Sequence, residues 1–114
     1  LCYSPLMQGL LTGKFASPDD VPDGRARSRH FSADRPQARH KEPGCETETF
    51  EAIGRIRRIC ERIQQPMADV ALAWLLHQKG VASVIAGARK PEQIRVNAEA
   101  GANADLWQSD SRVA

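Results

Sequence analysis

The 114-residue chain balances 16 Lys and Arg against 14 Asp and Glu for a formal charge of +2, and 41% of its residues are hydrophobic. That is the composition of a globular protein of at most one ordinary domain, and so small a charge gives no reason to expect a polyanionic partner. No apolar run approaches the roughly 18 residues that span a bilayer, so no membrane association is expected.

The chain opens LCYSPLMQGLL, with neither an initiator Met nor a basic stretch ahead of an apolar core. It does not read as a signal peptide, and the start is expected to be an interior segment of a longer protein. Cys2, Cys45 and Cys60 form no C-x-x-C pair and none stands with a His at metal-ligand spacing. They read as reduced thiols of a cytoplasmic protein without a metal site.

Leu1–Ser4 is a short apolar segment ending at Pro5, which suits a buried strand leaving for a loop. Leu6–Phe15 carries Gly9 and Gly13 among apolar residues and then Lys14. Residues 16–45, broken by Pro18, Pro22, Gly24, Pro36, Pro43 and Gly44, predict a long loop with at most a short helical turn. Arg25, Arg27, Arg29, Arg35, Arg39 and Lys41 crowd this loop. Such a run reads as a solvated surface. Binding of nucleic acid would need aromatic platforms beside it, and only Phe31 is available, so no nucleic-acid partner is expected.

From Glu46 a helical period appears: Phe50, Ile53, Ile56, Cys60 and Ile63 recur at three- and four-residue steps. Thr47 or Thr49 is expected to cap this helix, and Gln64–Gln65–Pro66 to end it. A second helix is predicted from Pro66, at its first position, to Gln78, with Val70, Ala71, Trp74 and Leu75 as the apolar face and Gly80 as the stop. Val81–Ala86, bounded by Gly80 and Gly87, predicts a buried strand. Pro91 to about Ala100 predicts a third main helix, and Asn103–Gln108 an additional turn. The order of strands and helices is that of an α/β protein with two parallel strands.

Two strand exits carry the candidate chemistry. After Ile85, Gly87 allows a turn or close approach of a ligand, and Pro91 opens a helix whose cap, Lys90, offers no side-chain acceptor. With Arg89 alongside, such a helix start suits an anion, although Glu92 or water would also satisfy it. Gln93 and Asn97 share a helical face and have the amide groups to meet a purine edge. At the other exit, Ser4 supplies a hydroxyl, the Leu6–Gln8 backbone supplies N–H groups and Lys14 supplies a cation that, taken alone, reads as solvent-exposed.

Three motifs in order, Y-S-P-L-M-Q-G-L-L-T-G-K-F at 3–15, A-L-A-W-L-L at 71–76 and S-V-I-A-G-A-R-K-P-E-Q-I-R-V-N at 83–97, resemble the C-terminal part of the aldo-keto reductase family. The resemblance covers essentially residues 1–114. It implies a partial (β/α)₈ barrel, the segment of its seventh and eighth strands, that binds NADP(H). In that resemblance Tyr3 matches a residue stacking on the nicotinamide, and Ser4, Pro5, Leu6, Met7 and Gln8 match the segment along the ribose and pyrophosphate. Lys14 matches a further cofactor contact, Gly87 and Arg89 match the adenosine 2′-phosphate site, and Gln93 and Asn97 match the adenine contacts. Val96 stands where some members carry Glu, which removes one adenine-side contact. The family also has members in which an Arg from the loop at 25–41 folds over the cofactor, but the resemblance does not say which Arg that is here.

The family's catalytic Asp, Tyr, Lys and His match nothing in this chain, so no catalytic residue is assigned to it. A whole barrel needs about 250 residues. The expectation is therefore the NADP(H)-binding part of an oxidoreductase that interconverts small carbonyl compounds and alcohols, inactive alone. The alternative is a non-catalytic nucleotide-binding module that retains the cofactor grip. Open strand edges also predict self-association of the isolated chain.

Overall fold

The two apolar segments expected to form strands do pair, and in parallel. In a computed structural model that describes residues 1–102, β1 (Cys2–Tyr3) lies beside β2 (Val84–Ile85), with Cys2 opposite Val84 and Tyr3 opposite Ile85. The extra turn expected at Asn103–Gln108 lies outside the described residues. β2 is shorter than the expected Val81–Ala86, because a ladder extends no further than its partner. Beyond the paired residues only the Cys2 N–H reaches back, to the Ser83 carbonyl at 3.0 Å. Nor is the strand buried: Ile85 is 58% exposed and Tyr3 83%. Parallel sheets are ordinarily covered on both faces, and here helices cover only one.

A parallel pair needs a long crossover, which here comprises a loop, α1 (Glu46–Arg62) and α2 (Met67–His77); α3 (Pro91–Ala102) follows β2. The period of α1 is as expected, with Ile53 and Cys60 buried and Phe50, Ile56 and Ile63 packed against the core. Its cap is not. Helix α1 starts one residue before Thr47, with Cys45 in the cap position and no side-chain cap bond, and Thr49 instead donates its backbone N–H to the Cys45 carbonyl at 2.9 Å. Glu46 and Glu48 in the first turn complement the helix dipole in the absence of a capping side chain.

Helix α2 starts at Met67, with Pro66 in the cap position rather than the first helical one. Its buried face also differs from the expected Val70–Ala71–Trp74–Leu75. Met67, Asp69, Val70, Leu72 and Ala73 are buried, and Trp74 is 47% exposed. The helix is apolar around most of its circumference, so periodicity cannot choose its face, and tertiary packing does. Asp69, Ala73 and Leu76 fall on one stripe, and α3 packs along α2 with Leu76 beside Gly101. The Val70–Leu75 side instead lines an apolar cleft of about 580 Å³, together with Met7, Leu11, Ile56 and Ile59.

The loop expected at 16–45 contains one short 3₁₀ turn, Pro18–Asp20, in otherwise irregular chain, and a second, Met7–Thr12, precedes it. The loop also supplies much of the core: Val21, Ala26 and Phe31 bury alongside Leu10, Phe15, Ile53, Cys60, Met67 and Val70. Arg35 staples the loop by donating to Glu46 Oε1 at 2.8 Å, the Pro18 carbonyl at 2.8 Å and the Val21 carbonyl at 3.3 Å. Its guanidinium lies 5.2 Å from the Phe31 ring centre. No helix among the described residues is long and apolar enough to cross a membrane.

Candidate functional site

Beyond Tyr3 the backbone is strained in a way few loops are. Ser4, Met7 and Gln8 take positive φ of 51°, 49° and 57°, and Gly9 follows at 102°. For residues with a side chain this conformation costs roughly 1–3 kcal/mol each and concentrates where a fixed shape is needed. The tight spiral brings Ser4, Pro5, Leu6, Gln8, Gly9 and Thr12 to one wall of a cleft at the carboxyl ends of both strands. The Thr12 hydroxyl, donating to the Gly9 carbonyl at 2.7 Å, closes the turn.

The cleft has a volume of about 690 Å³, and three cations reach it: Lys14, Arg25 and Arg89. No Asp or Glu lines it. Burial, and then the charges of Arg25 and Arg89, hold the Lys14 ammonium below the ordinary lysine range. A favourable place for an anion is therefore an unfavourable one for a third free cation. Lys14 reaches the cleft across Gly9, where a Cβ would come within 2.8 Å of the lysine Cε, and its ammonium sits 5.0 Å from the Phe15 ring centre.

The β2–α3 corner forms the facing wall through Ile85, Ala86, Gly87 and Arg89. Gly87 is not left-handed, and a Cβ there would meet nothing within 4 Å. The chain's own conformation does not require glycine at this position. At the start of α3 the Gln93 side chain folds back onto the residues that precede the helix. Gln93 Oε1 accepts the N–H of Arg89 at 2.7 Å and that of Lys90 at 3.2 Å. Asn97 Nδ2 donates to the Gly87 carbonyl at 3.4 Å. The two residues read as base contacts thus share a face, as their spacing requires, and here both tie down the loop that carries Arg89.

Eight of the eleven expected site residues, Tyr3, Ser4, Pro5, Leu6, Gln8, Lys14, Gly87 and Arg89, converge on one cleft. Gln93 and Asn97 stand behind its wall, and Met7 turns into the separate apolar cleft under Trp74. The loop's contributor is Arg25. Arg27 instead bonds Gln37 at 2.8 Å and Arg29 pairs with Glu42 at 3.4 Å. Nothing in the spacing of the arginine run singles out Arg25; its place follows from the turn in which its N–H bonds the Pro22 carbonyl at 2.8 Å. Cys60 is buried, and burial pushes its thiol up, away from the reactive thiolate. Among the described residues no three His, Cys, Asp or Glu side chains gather as metal ligands.

Residues 1–111 match the model of the aldo/keto reductase family, and the chain belongs to that family. It is 36% identical over 98 residues, 86% of its length, to a putative voltage-gated potassium channel subunit beta of Schizosaccharomyces pombe. It is 34% identical over 110 residues, 96% of its length, to the NADH-specific methylglyoxal reductase of Escherichia coli. It is 31% identical over 101 residues, 85% of its length, to the S. pombe aldo-keto reductase yakc [NADP(+)]. The matched parts are 27%, 30% and 26% of these relatives, so the chain spans under a third of their length. No solved structure gives a significant match.

Proposed function

We propose that this chain is the cofactor-gripping part of an aldo/keto reductase, the segment of the seventh and eighth strands of a (β/α)₈ barrel, and that it takes NADP(H) in preference to NAD(H). The observation that carries the reading is the convergence of Lys14, Arg25 and Arg89 on one cleft without a carboxylate, at the carboxyl ends of two parallel strands. That is where α/β folds bind ligands, and three cations suit a ligand that carries several phosphates.

The residues present fit such a group. The Ser4–Gly9 spiral supplies backbone and a hydroxyl beside Lys14 and Arg25 for a pyrophosphate. Arg89 at the opposite wall suits a phosphate further along the molecule, and the open space over Gly87 admits one closely. Tyr3, 83% exposed beside Ser4, offers a free aromatic face. When bound, the nicotinamide supplies the hydride for carbonyl reduction. What these residues do is bind and orient, and the proton donor belongs to other parts of the whole enzyme. Its substrates are small carbonyl compounds.

The relatives include one named for NADH and one named for NADP(+), so family membership alone does not choose. Arg89 supports the phosphorylated cofactor. Titration of the chain with NADPH and NADH, followed by nicotinamide fluorescence, tests the choice. Arg89→Gln is expected to weaken NADPH about tenfold and leave NADH within twofold, as for loss of a single charge-assisted contact. Equal weakening of both cofactors, or tighter NADH binding by the unaltered chain, overturns the preference.

A further inference from the structure

Lys14 has no intrinsic reason to remain in the cleft. Its side chain is long and mobile, its charge is repelled by Arg25 and Arg89, and no carboxylate lines the cleft to hold it. The Phe15 ring beneath the ammonium is one hold on it, and the Thr12 hydroxyl accepts its backbone N–H at 3.4 Å. A third group acts on the backbone from another element. Arg57, on α1 and far away in sequence, donates from a single nitrogen, Nη2, to the Gly13 carbonyl at 3.0 Å and to the Phe15 carbonyl at 3.1 Å. These two carbonyls flank Lys14, and the contacts are partly buried, where charge-assisted bonds are stronger than at an open surface. Gly13 at φ 77° makes the turn that brings both oxygens to one donor. Phe15, whose carbonyl takes the second bond, is also the ring beneath the Lys14 ammonium.

We propose that Arg57 is a positioning residue that fixes the backbone around Lys14 and so aims its ammonium into the cleft against the repulsion of Arg25 and Arg89. Its consequence for binding rests on the cofactor reading above; the geometric claim does not. Arg57 touches no ligand-facing wall itself. It lies instead behind the turn, near Cys60 and Met67.

Two measurements on the 114-residue chain test this. In the first, NADPH binding is compared for wild type, Arg57→Gln, Lys14→Gln and the double variant. The expectation is about tenfold weaker binding for Arg57→Gln, with no more than twofold further loss when Lys14 is already Gln, since two residues acting through one contact do not add. A similar loss in both backgrounds overturns the proposal and leaves Arg57 a general fold support. The second needs no cofactor. Lysines are reductively methylated with ¹³C and the Lys14 resonance is titrated. It is expected below the ordinary lysine range in the wild type and back within it in Arg57→Gln, because the freed side chain regains water and leaves its two cationic neighbours. An unchanged titration overturns the proposal. If the wild type takes up no NADPH, the cofactor reading falls while the titration still decides the role of Arg57. Circular dichroism checks folding, and Arg57→Lys replaces Arg57→Gln in both measurements if the latter unfolds.

Discussion

Between Ser17 and Gly44 the chain has hardly any regular structure, yet Val21 is 3% exposed, Ala26 0% and Phe31 1%. Between Val84 and Ala102 it is mostly strand and helix, yet Ile85, Ile94 and Val96 are 58%, 63% and 40% exposed and only Ala100 is buried. Regularity and burial run in opposite directions in the two regions. The irregular loop is held in place by packing, by the Arg35 staple and by the close approach of Gly44 to Phe31, and it carries Arg25 to the cleft. The regular corner carries Arg89 and Gly87 on a surface its own chain leaves open. One region is shaped by what it packs against; the other leaves space over the cleft for a ligand.

The sharpest way to break that contrast is through stability. Phe31→Ala empties a fully buried site and is expected to cost about 3–5 kcal/mol. Gly44→Ala is expected to be comparably severe, because Gly44 has φ 80° and a Cβ there would overlap the Phe31 carbonyl. Ile94→Ala, in the regular helix, is expected to stay within about 0.5 kcal/mol. Urea unfolding followed by tryptophan fluorescence ranks the three. Should Ile94→Ala cost as much as Phe31→Ala, the corner is packed more tightly than its exposure indicates.

Function should show the reverse order. Gly87→Val adds a β-branched side chain where a Cβ meets nothing, so the melting temperature is expected to hold. If a ligand approaches that backbone, NADPH binding should weaken about tenfold or more, the scale of one lost close contact. A variant that binds normally would mean that the glycine serves neither the fold nor the ligand, and the cofactor would have to lie elsewhere in the cleft.

How much of this was legible depends on what each signal records. The periodicity of Phe50, Ile53, Ile56, Cys60 and Ile63 located α1, because a helix with one wet face must show its period. The parallel strand pair and the convergence of Tyr3, Ser4, Lys14, Gly87 and Arg89 on one cleft also followed, since residues at two strand exits in one sheet have few other places to meet. The face of α2 did not, because Val70, Ala71, Leu72, Ala73, Trp74 and Leu75 leave no polar side to mark the outside. The burial of Phe31 did not either. It depends on Arg35 reaching Glu46 and two carbonyls, a contact among residues with no shared period. Arg25 was one of six cations in the loop, and only the turn at Pro22 separates it from the others.

A smaller effect tests the staple. In Glu46, burial pushes the carboxyl up, but the bond from Arg35, the Ser32 N–H and the Arg35 charge outweigh it, so the net shift is downward from 4.5. A carboxylate held lower in the folded state than in the unfolded one stabilises fully above the unfolded value. That contribution is lost as pH falls from about 4.5 through the folded value. The melting temperature of the wild type should therefore drop across this range more steeply than that of Glu46→Gln, which lacks the titrating group. Parallel acid limbs for the two proteins would mean that the staple contributes nothing through charge.

The smallest effect is the most discriminating about the loop's charge. Arg29 and Arg25 are four residues apart in the same basic run, but Arg29 pairs with Glu42 at the surface, its side chain 78% exposed, while Arg25 lines the cleft. If the loop acts as a diffuse positive surface, neutralising either should weaken NADPH about equally, and both losses should fade together as salt screens them. If position decides, Arg29→Gln should leave NADPH affinity within about twofold and the melting temperature unchanged, as is usual for an exposed ion pair. Arg25→Gln should weaken binding several-fold more. A matched pair of titrations at low and moderate salt separates the cases. An Arg29→Gln loss equal to that of Arg25→Gln would return the whole loop to a solvated, unspecific charge and leave the grip to Lys14 and Arg89.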